Sequence, residues 1–174
     1  QDALDNANDS VADGTALKAD YSKYDEIRDL LGALKETEDL KSEYADKIQT
    51  ALDNNIVAEG LTKDKQGEIN DKTAILEAVY NEILGKINDK SALDADYTDL
   101  NEAIAKLEAA KNTEGLTDEA KERLDKAIED AQKVVNQDLS QSDADTAILN
   151  KAVEDANNAA VITGADLKAD YSEL

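Results

Sequence analysis

The segment Ala16-Leu-Lys-Ala-Asp-Tyr-Ser22 returns as Ala92-Leu-Asp-Ala-Asp-Tyr-Thr98 and again as Asp166-Leu-Lys-Ala-Asp-Tyr-Ser172. Its tyrosines stand at 21, 97 and 171, so the spacings are 76 and 74 residues. Two further markers keep the same order. Thr73-Ala-Ile-Leu76 matches Thr146-Ala-Ile-Leu149, and Ala3-Leu-Asp-Asn-Ala-Asn8 resembles Ala152-Val-Glu-Asp-Ala-Asn157. A fixed period of this length marks a repeat architecture, in which each copy is one folding unit. The expected organisation is the tail of a preceding module at 1–14, module 1 at 15–90, module 2 at 91–164, and the start of a following module at 165–174.

The material available for a core narrows the choice of fold. Phe, Trp, Met, Cys and Pro are all absent, while hydrophobic residues make up 41% of the chain. Without Pro the strongest helix breaker is missing. A core limited to Leu, Ile, Val, Ala and a few Tyr suits narrow helical bundles. In the second repeat Tyr97, Leu100, Ile104, Leu107 and Lys111 follow a 3-4-3-4 rhythm, widened by Ala103 and Ala110, which predicts an amphipathic helix. The first repeat carries a similar stripe with Tyr21, Tyr24, Ile27, Leu31 and Leu34.

A break at Asn112-Thr-Glu-Gly115 precedes Thr117, a candidate N-cap with Asp118 and Glu119 in the first turn. The helix after it should bury Ala120, Leu124, Ala127, Ile128, Ala131 and Val135, as Tyr44, Ile48, Ala51, Leu52 and Ile56 should in the first repeat. A polar stretch at 136–143 leads to a third helix that turns Ile148, Leu149, Ala152, Val153, Ala156 and Ala160 inward. Its counterpart uses Ile69, Ile75, Leu76, Val79, Tyr80, Ile83, Leu84 and Ile87, with Thr62 able to cap an earlier start. The fold class is therefore all-α, with two tandem three-helix bundle modules in an elongated array. Three antiparallel helices put the two ends of a module at opposite poles.

These stretches are similar to a known module. Leu100-Asn-Glu-Ala-Ile-Ala-Lys-Leu107, the run from Leu116 through Leu124 to Ala131, and Ser140 through Ala159 resemble the FIVAR module, a helical repeat of Gram-positive surface proteins and secreted glycosidases. The first repeat departs from that pattern in its longer second connection and weaker Ala periodicity. The resemblance implies a place in modular extracellular proteins, as spacer or binding module, and brings no catalytic residues with it.

Chemistry is excluded on several fronts. With no His and no Cys, neither a zinc site of the usual kind, nor a thiol nucleophile, nor a Ser-His-Asp triad can be assembled. The pairs Asp94/Asp96 and Asp143/Asp145 are expected to be solvated surface acids among 41 acidic residues. The run from Asp94 to Leu100 lacks the glycine and final Glu of an EF-hand loop, and Asp9–Asp20 carries Val11 at a ligand position. No cofactor and no metal site is expected. A net charge of −22 repels phosphate backbones and anionic membranes, so nucleic acid is not an expected partner. No stretch approaches the ~20 apolar residues of a membrane span.

The chain opens Gln1-Asp2 without Met or a signal-peptide pattern, and is expected to be a fragment or processed piece. The function these features suggest is a non-catalytic spacer or stalk of a secreted or wall-attached bacterial surface protein. It would be extracellular and monomeric, with neighbouring modules of the same chain as partners. The alternative is a helical module that binds a host protein or glycan. The recurrent Leu17, Tyr21, Leu93, Tyr97, Leu167 and Tyr171 are expected to pack at module junctions.

Overall fold

The computed structural model describes residues 2–12, 15 and 17–169. The described residues are all-helical, with four isolated backbone bridges and no strand among them. The chain divides into two compact units, residues 1–93 and 94–174.

Unit 1 holds α1 (Asp2–Ala12), α2 (Ser22–Lys35), α3 (Ser42–Asn54) and α4 (Gln66–Asn88). Helices α2, α3 and α4 pack pairwise around Tyr24, Ile27, Leu31, Ile48, Ala51, Ile69, Leu76 and Ile83. Ile69, Leu76 and Ile83 stand seven residues apart and face one seam, the spacing that knobs-into-holes packing asks for. Helix α1 has its Leu4 and Val11 exposed, at 66% and 57%.

The direction of each helix follows from its ends. Ala19 N–H, just before α2, donates to Leu61 C=O, just before α4, at 3.0 Å. The Gln66 side chain accepts from Asp20 N–H at 2.7 Å and donates to Asp20 C=O at 2.9 Å. Helices α2 and α4 therefore start at the same end. At the far end Lys41 N–H donates to Ala92 C=O at 2.9 Å, so α3 runs back between them.

Unit 2 repeats the circuit with α5 (Thr98–Lys111), α6 (Asp118–Val135) and α7 (Asp143–Ala159). Its core gathers Leu100, Ala103, Ile104, Leu107, Leu116, Ala120, Leu124, Ala131, Leu139, Leu149 and Ala156. Ala95 N–H donates to Leu139 C=O at 3.3 Å at one end, and Thr117 N–H to Asp166 C=O at 2.8 Å at the other. Thr117 caps α6, its hydroxyl accepting from Ala120 N–H at 3.1 Å, as the sequence suggests. Gly115 takes φ 80° in the loop before it, and Asp39 takes φ 59° at the same point of unit 1. That conformation suits Gly, with Asp among the few tolerated substitutes.

The units differ in the length of their second helix, and several residues differ there, among them Asn55 for Ala131 and Gly60 for Asn136. Tyr24 in α2 corresponds to Leu100 in α5. Its hydroxyl donates to Asn55 C=O at 2.8 Å and accepts from Val57 N–H at 3.1 Å. Asn55, only 6% exposed, also donates from its side chain to Ala51 C=O at 2.8 Å. These bonds draw the backbone out of the helical path, and α3 ends at Asn54. Leu100 offers no such partner, and α6 runs on to Val135. The long second connection of unit 1 ends in a 3-10 turn at Lys63–Lys65, directly after Thr62, which feeds into α4.

Some residues expected in the core lie outside it. Ile75 and Ile148 are 48% and 43% exposed, and Ile56 is 65% exposed while its neighbour Val57 is buried. Each repeat of Thr-Ala-Ile-Leu thus turns its Leu inward and its Ile outward. The two adjacent apolar residues cannot share one narrow helical stripe.

Each unit has its own core, so damage should stay local. Leu124→Ala removes a fully buried side chain and is expected to cost unit 2 about 2–4 kcal/mol. Urea denaturation followed by residue-resolved amide exchange should show that loss in α5–α7, with α2–α4 unchanged. Equal loss in both sets of helices would contradict two separate cores.

Candidate functional site

The repeated motif is the feature that sequence marks most strongly, and its residues have distinct tasks. The Asp20 carboxylate accepts from Ser22 N–H, and the Asp96 carboxylate from Thr98 N–H, each at 2.9 Å. An Asp bonded two residues onward turns the chain and starts a helix. Hydrogen bonding holds both carboxyls below the ordinary aspartate range, chiefly through the side chains of Ser22 and Thr98 and then through their backbone amides. Asp89 is lowered in the same way by Ser91.

The tyrosine reaches the second connection of its own unit. Tyr21 Oη donates to Ala58 C=O at 2.7 Å and accepts from Leu61 N–H at 2.9 Å. Tyr97 Oη donates to Gln137 C=O and accepts from Leu139 N–H at 3.2 Å. Both hydroxyl functions are used, and in each case the loop before the third helix is fastened to the start of the first.

The leucines work through their backbones. Leu17 C=O accepts from Lys63 N–H at 2.8 Å, while its side chain is 42% exposed. Leu93 is bridged to Leu40 and Leu167 to Leu116. Of the six residues marked by the sequence, Leu17 and Tyr21 therefore sit at the opening end of unit 1 and Leu93 at its closing end. Tyr97 sits at the opening end of unit 2 and Leu167 at its closing end, while Tyr171 lies outside the described residues. The five described residues thus mark two kinds of end within the units.

The acids noted in the sequence have structural tasks too. Asp145 Oδ2 accepts from both Ser140 N–H at 2.8 Å and Ser140 Oγ at 2.6 Å. This fixes the turn that opens α7. Among the described residues no group of three His, Cys, Asp or Glu side chains could hold a metal ion. No helix among them is long and apolar enough to cross a membrane.

Two surface depressions remain as candidate sites. In unit 1 a cleft of about 650 Å³ at the opening end is rimmed by Lys18, Lys23 and Lys63, with Gln66 and Asn70 in its wall. In unit 2 a groove of about 610 Å³ runs between α6 and α7. Ala127, Ala131, Ala152 and Ala156 line it, Ile148 projects beside them, and Arg123 stands at one end. Its rim carries the pairs Lys126–Asp130 and Lys151–Asp155, both at 2.8 Å.

Val134/Val135 and Ile56/Val57 are adjacent apolar pairs. Both valines of the first pair pack on the core of unit 2, and only Ile56 of the second is exposed. The outward residue of the groove is Ile148. Its recurrence beside Leu149 in Thr-Ala-Ile-Leu was the available signal.

Comparison with protein-family models, with curated proteins and with solved structures returned no match.

The tyrosine bonds can be weighed directly. Tyr97→Phe removes one hydroxyl and leaves the Leu139 amide and Gln137 carbonyl without it, which is expected to cost unit 2 about 1–2 kcal/mol. Exchange of the Leu139 amide should quicken by tenfold or more. An unchanged rate at Leu139 would show that the hydroxyl does not hold this loop.

Proposed function

We propose that the chain is a non-catalytic structural spacer or stalk repeat of a secreted or cell-wall-attached bacterial surface protein of adhesin type. Two tandem three-helix modules, FIVAR-like in their sequence pattern, stand in an elongated array. The observation that carries this reading is the backbone circuit common to both units. Each has its opening segment bonded beside the second connection and its closing segment bonded beside the first, at opposite ends of the helices. A repeat of this kind adds length with every copy. At 1.5 Å per residue, the 23 residues of α4 span roughly 35 Å.

The side-chain chemistry supports the same reading. A chain without His or Cys lacks the commonest proton-transfer and nucleophilic groups. The strongest polar networks, around Asp20, Asp96, Asp145 and the two tyrosines, are spent on turns and loops. A surface with net charge −22 keeps an extended protein solvated and discourages self-association. The chain acts as an extracellular monomer whose partners are neighbouring modules.

Small-angle scattering on the full chain tests this. A compact globule of 174 residues has a radius of gyration of about 16 Å. The spacer reading expects a clearly larger value and an asymmetric distance distribution. A value at the compact limit would defeat it.

The groove between α6 and α7 supports a second reading, a helical module that binds a host protein or glycan. Apolar grooves of this shape accept amphipathic helices, and Ile148 at 43% exposure would be the anchor. Immobilised wild-type and Ile148→Glu chains exposed to host plasma and matrix proteins separate the two. The spacer reading expects the two chains to retain the same background. A protein held by wild type and lost on Ile148→Glu would move the assignment to a binding module.

A further inference from the structure

The closing end of unit 2 contains residues that the sequence period gives to a following repeat. Asp166, Leu167 and Lys168 correspond to Ala92, Leu93 and Asp94 and, one period earlier, to Ala16, Leu17 and Lys18. By period they open a module. In the structure they finish one.

Thr117 N–H donates to Asp166 C=O at 2.8 Å, and Lys168 N–H donates to Gly115 C=O at 2.7 Å. The two bonds frame the antiparallel bridge between Leu116 and Leu167. The edge that receives the segment is anchored through Leu116, which is 1% exposed and belongs to the core of unit 2. Side chains add to the backbone pairing. Arg123 of α6 bonds the Asp166 carboxylate at 3.0 Å. That carboxylate also accepts from Thr163 N–H and Thr163 Oγ, each at 2.8 Å, and so shapes the turn that delivers Leu167. These bonds, with those to Thr163 the largest, hold the Asp166 carboxyl below the ordinary range. Unit 1 has the same arrangement at Leu40 and Leu93, with Lys41 N–H bonded to Ala92 C=O.

We infer that the edge Gly115–Thr117 is a docking surface for an extended segment, and that its occupant is the opening segment of a repeat. One folding unit of this chain is then a full period plus the first residues of the next copy. The recurrent Leu is kept for two tasks, to close one copy and to open another. The two tasks draw on different backbone groups. Closing uses the carbonyl before the Leu and the N–H after it, as in Asp166 and Lys168. Opening uses the carbonyl of the Leu itself and the N–H two residues on, as in Leu17 and Ala19. Backbone groups of an extended chain alternate sides residue by residue, so the tasks do not compete. The inference concerns what one repeat contains and is independent of whether the chain is a spacer or a binding module.

Three chains test it: the full chain, one ending at Ala169 and one ending at Ile162. The chain ending at Ala169 is expected to match the full chain. The chain ending at Ile162 should lose protection of the Thr117 amide by tenfold or more, and unit 2 should melt about 5–10 °C lower. The Lys41 amide in unit 1, which keeps its Ala92 partner, is the internal control. Lys168→Pro in the full chain removes the N–H that bonds Gly115, together with the exposed Lys168–Asp118 ion pair at 3.7 Å, for which Lys168→Ala is the control. Leu167, at φ −103° and ψ 142°, already has the extended conformation that precedes proline. It should quicken exchange at Thr117 while leaving α5–α7 helical, so the test stands even where the shortened chain fails to fold unit 2. An unchanged Thr117 amide in both the shortened chain and Lys168→Pro overturns the inference.

Discussion

The bond pair made by one tyrosine hydroxyl sets the geometry of each unit. Tyr21 and Tyr97 stand at the first residue before a helix, where the chain direction is fixed by an Asp turn. Each reaches across to the loop that precedes the third helix. By donating to one carbonyl and accepting from one amide two or three residues later, the hydroxyl fixes both the position and the direction of that loop. A helical bundle with a core of Leu, Ile, Val and Ala has little shape of its own to fix its helices, since such residues pack in many similar ways. Directional bonds at the helix ends supply the specificity that the core chemistry lacks.

The helical content and the inner faces were legible from periodicity. Leu31, Leu107, Leu76 and Leu124 lie on stripes that the sequence shows plainly, and all are buried. Legibility ended where a few polar side chains decided between two local paths. Tyr24 shortens α3 through its bonds to Asn55 and Val57, whereas Leu100 lets α6 continue. On a hydrophobic pattern the two residues count alike. Ile75 and Ile148 were read as inward because they neighbour a buried Leu. A step of 100° along the helix is enough to carry a side chain out of a narrow stripe.

The bridges at Leu40, Ser140 and Leu116 left no signal of their own in the pattern. A two-residue pairing is too short for alternation to be seen, and its bonds come from the backbone. The repeated Leu and Tyr were visible as landmarks, and junction packing was the task the sequence suggested for them. Among the described residues, Tyr21 and Tyr97 are engaged inside their units through their hydroxyls, and Leu17, Leu93 and Leu167 through main-chain bonds. Recurrence thus located the residues that matter, and coordinates were needed to say which atoms act. Asp96 and Asp145 carry the same lesson: expected as solvated surface acids, they also fasten turns.

The pairing at Leu116 and Leu167 uses main-chain atoms that every residue except proline possesses. Helix faces on either side can therefore drift in sequence while the edge and its extended partner keep their fit. On the inferred docking, exchange of a copy asks only that the edge and its extended partner be kept. The backbone pairing itself asks for a left-handed residue before the edge, met here by Gly115 and Asp39, and a Leu behind it to hold it to the core.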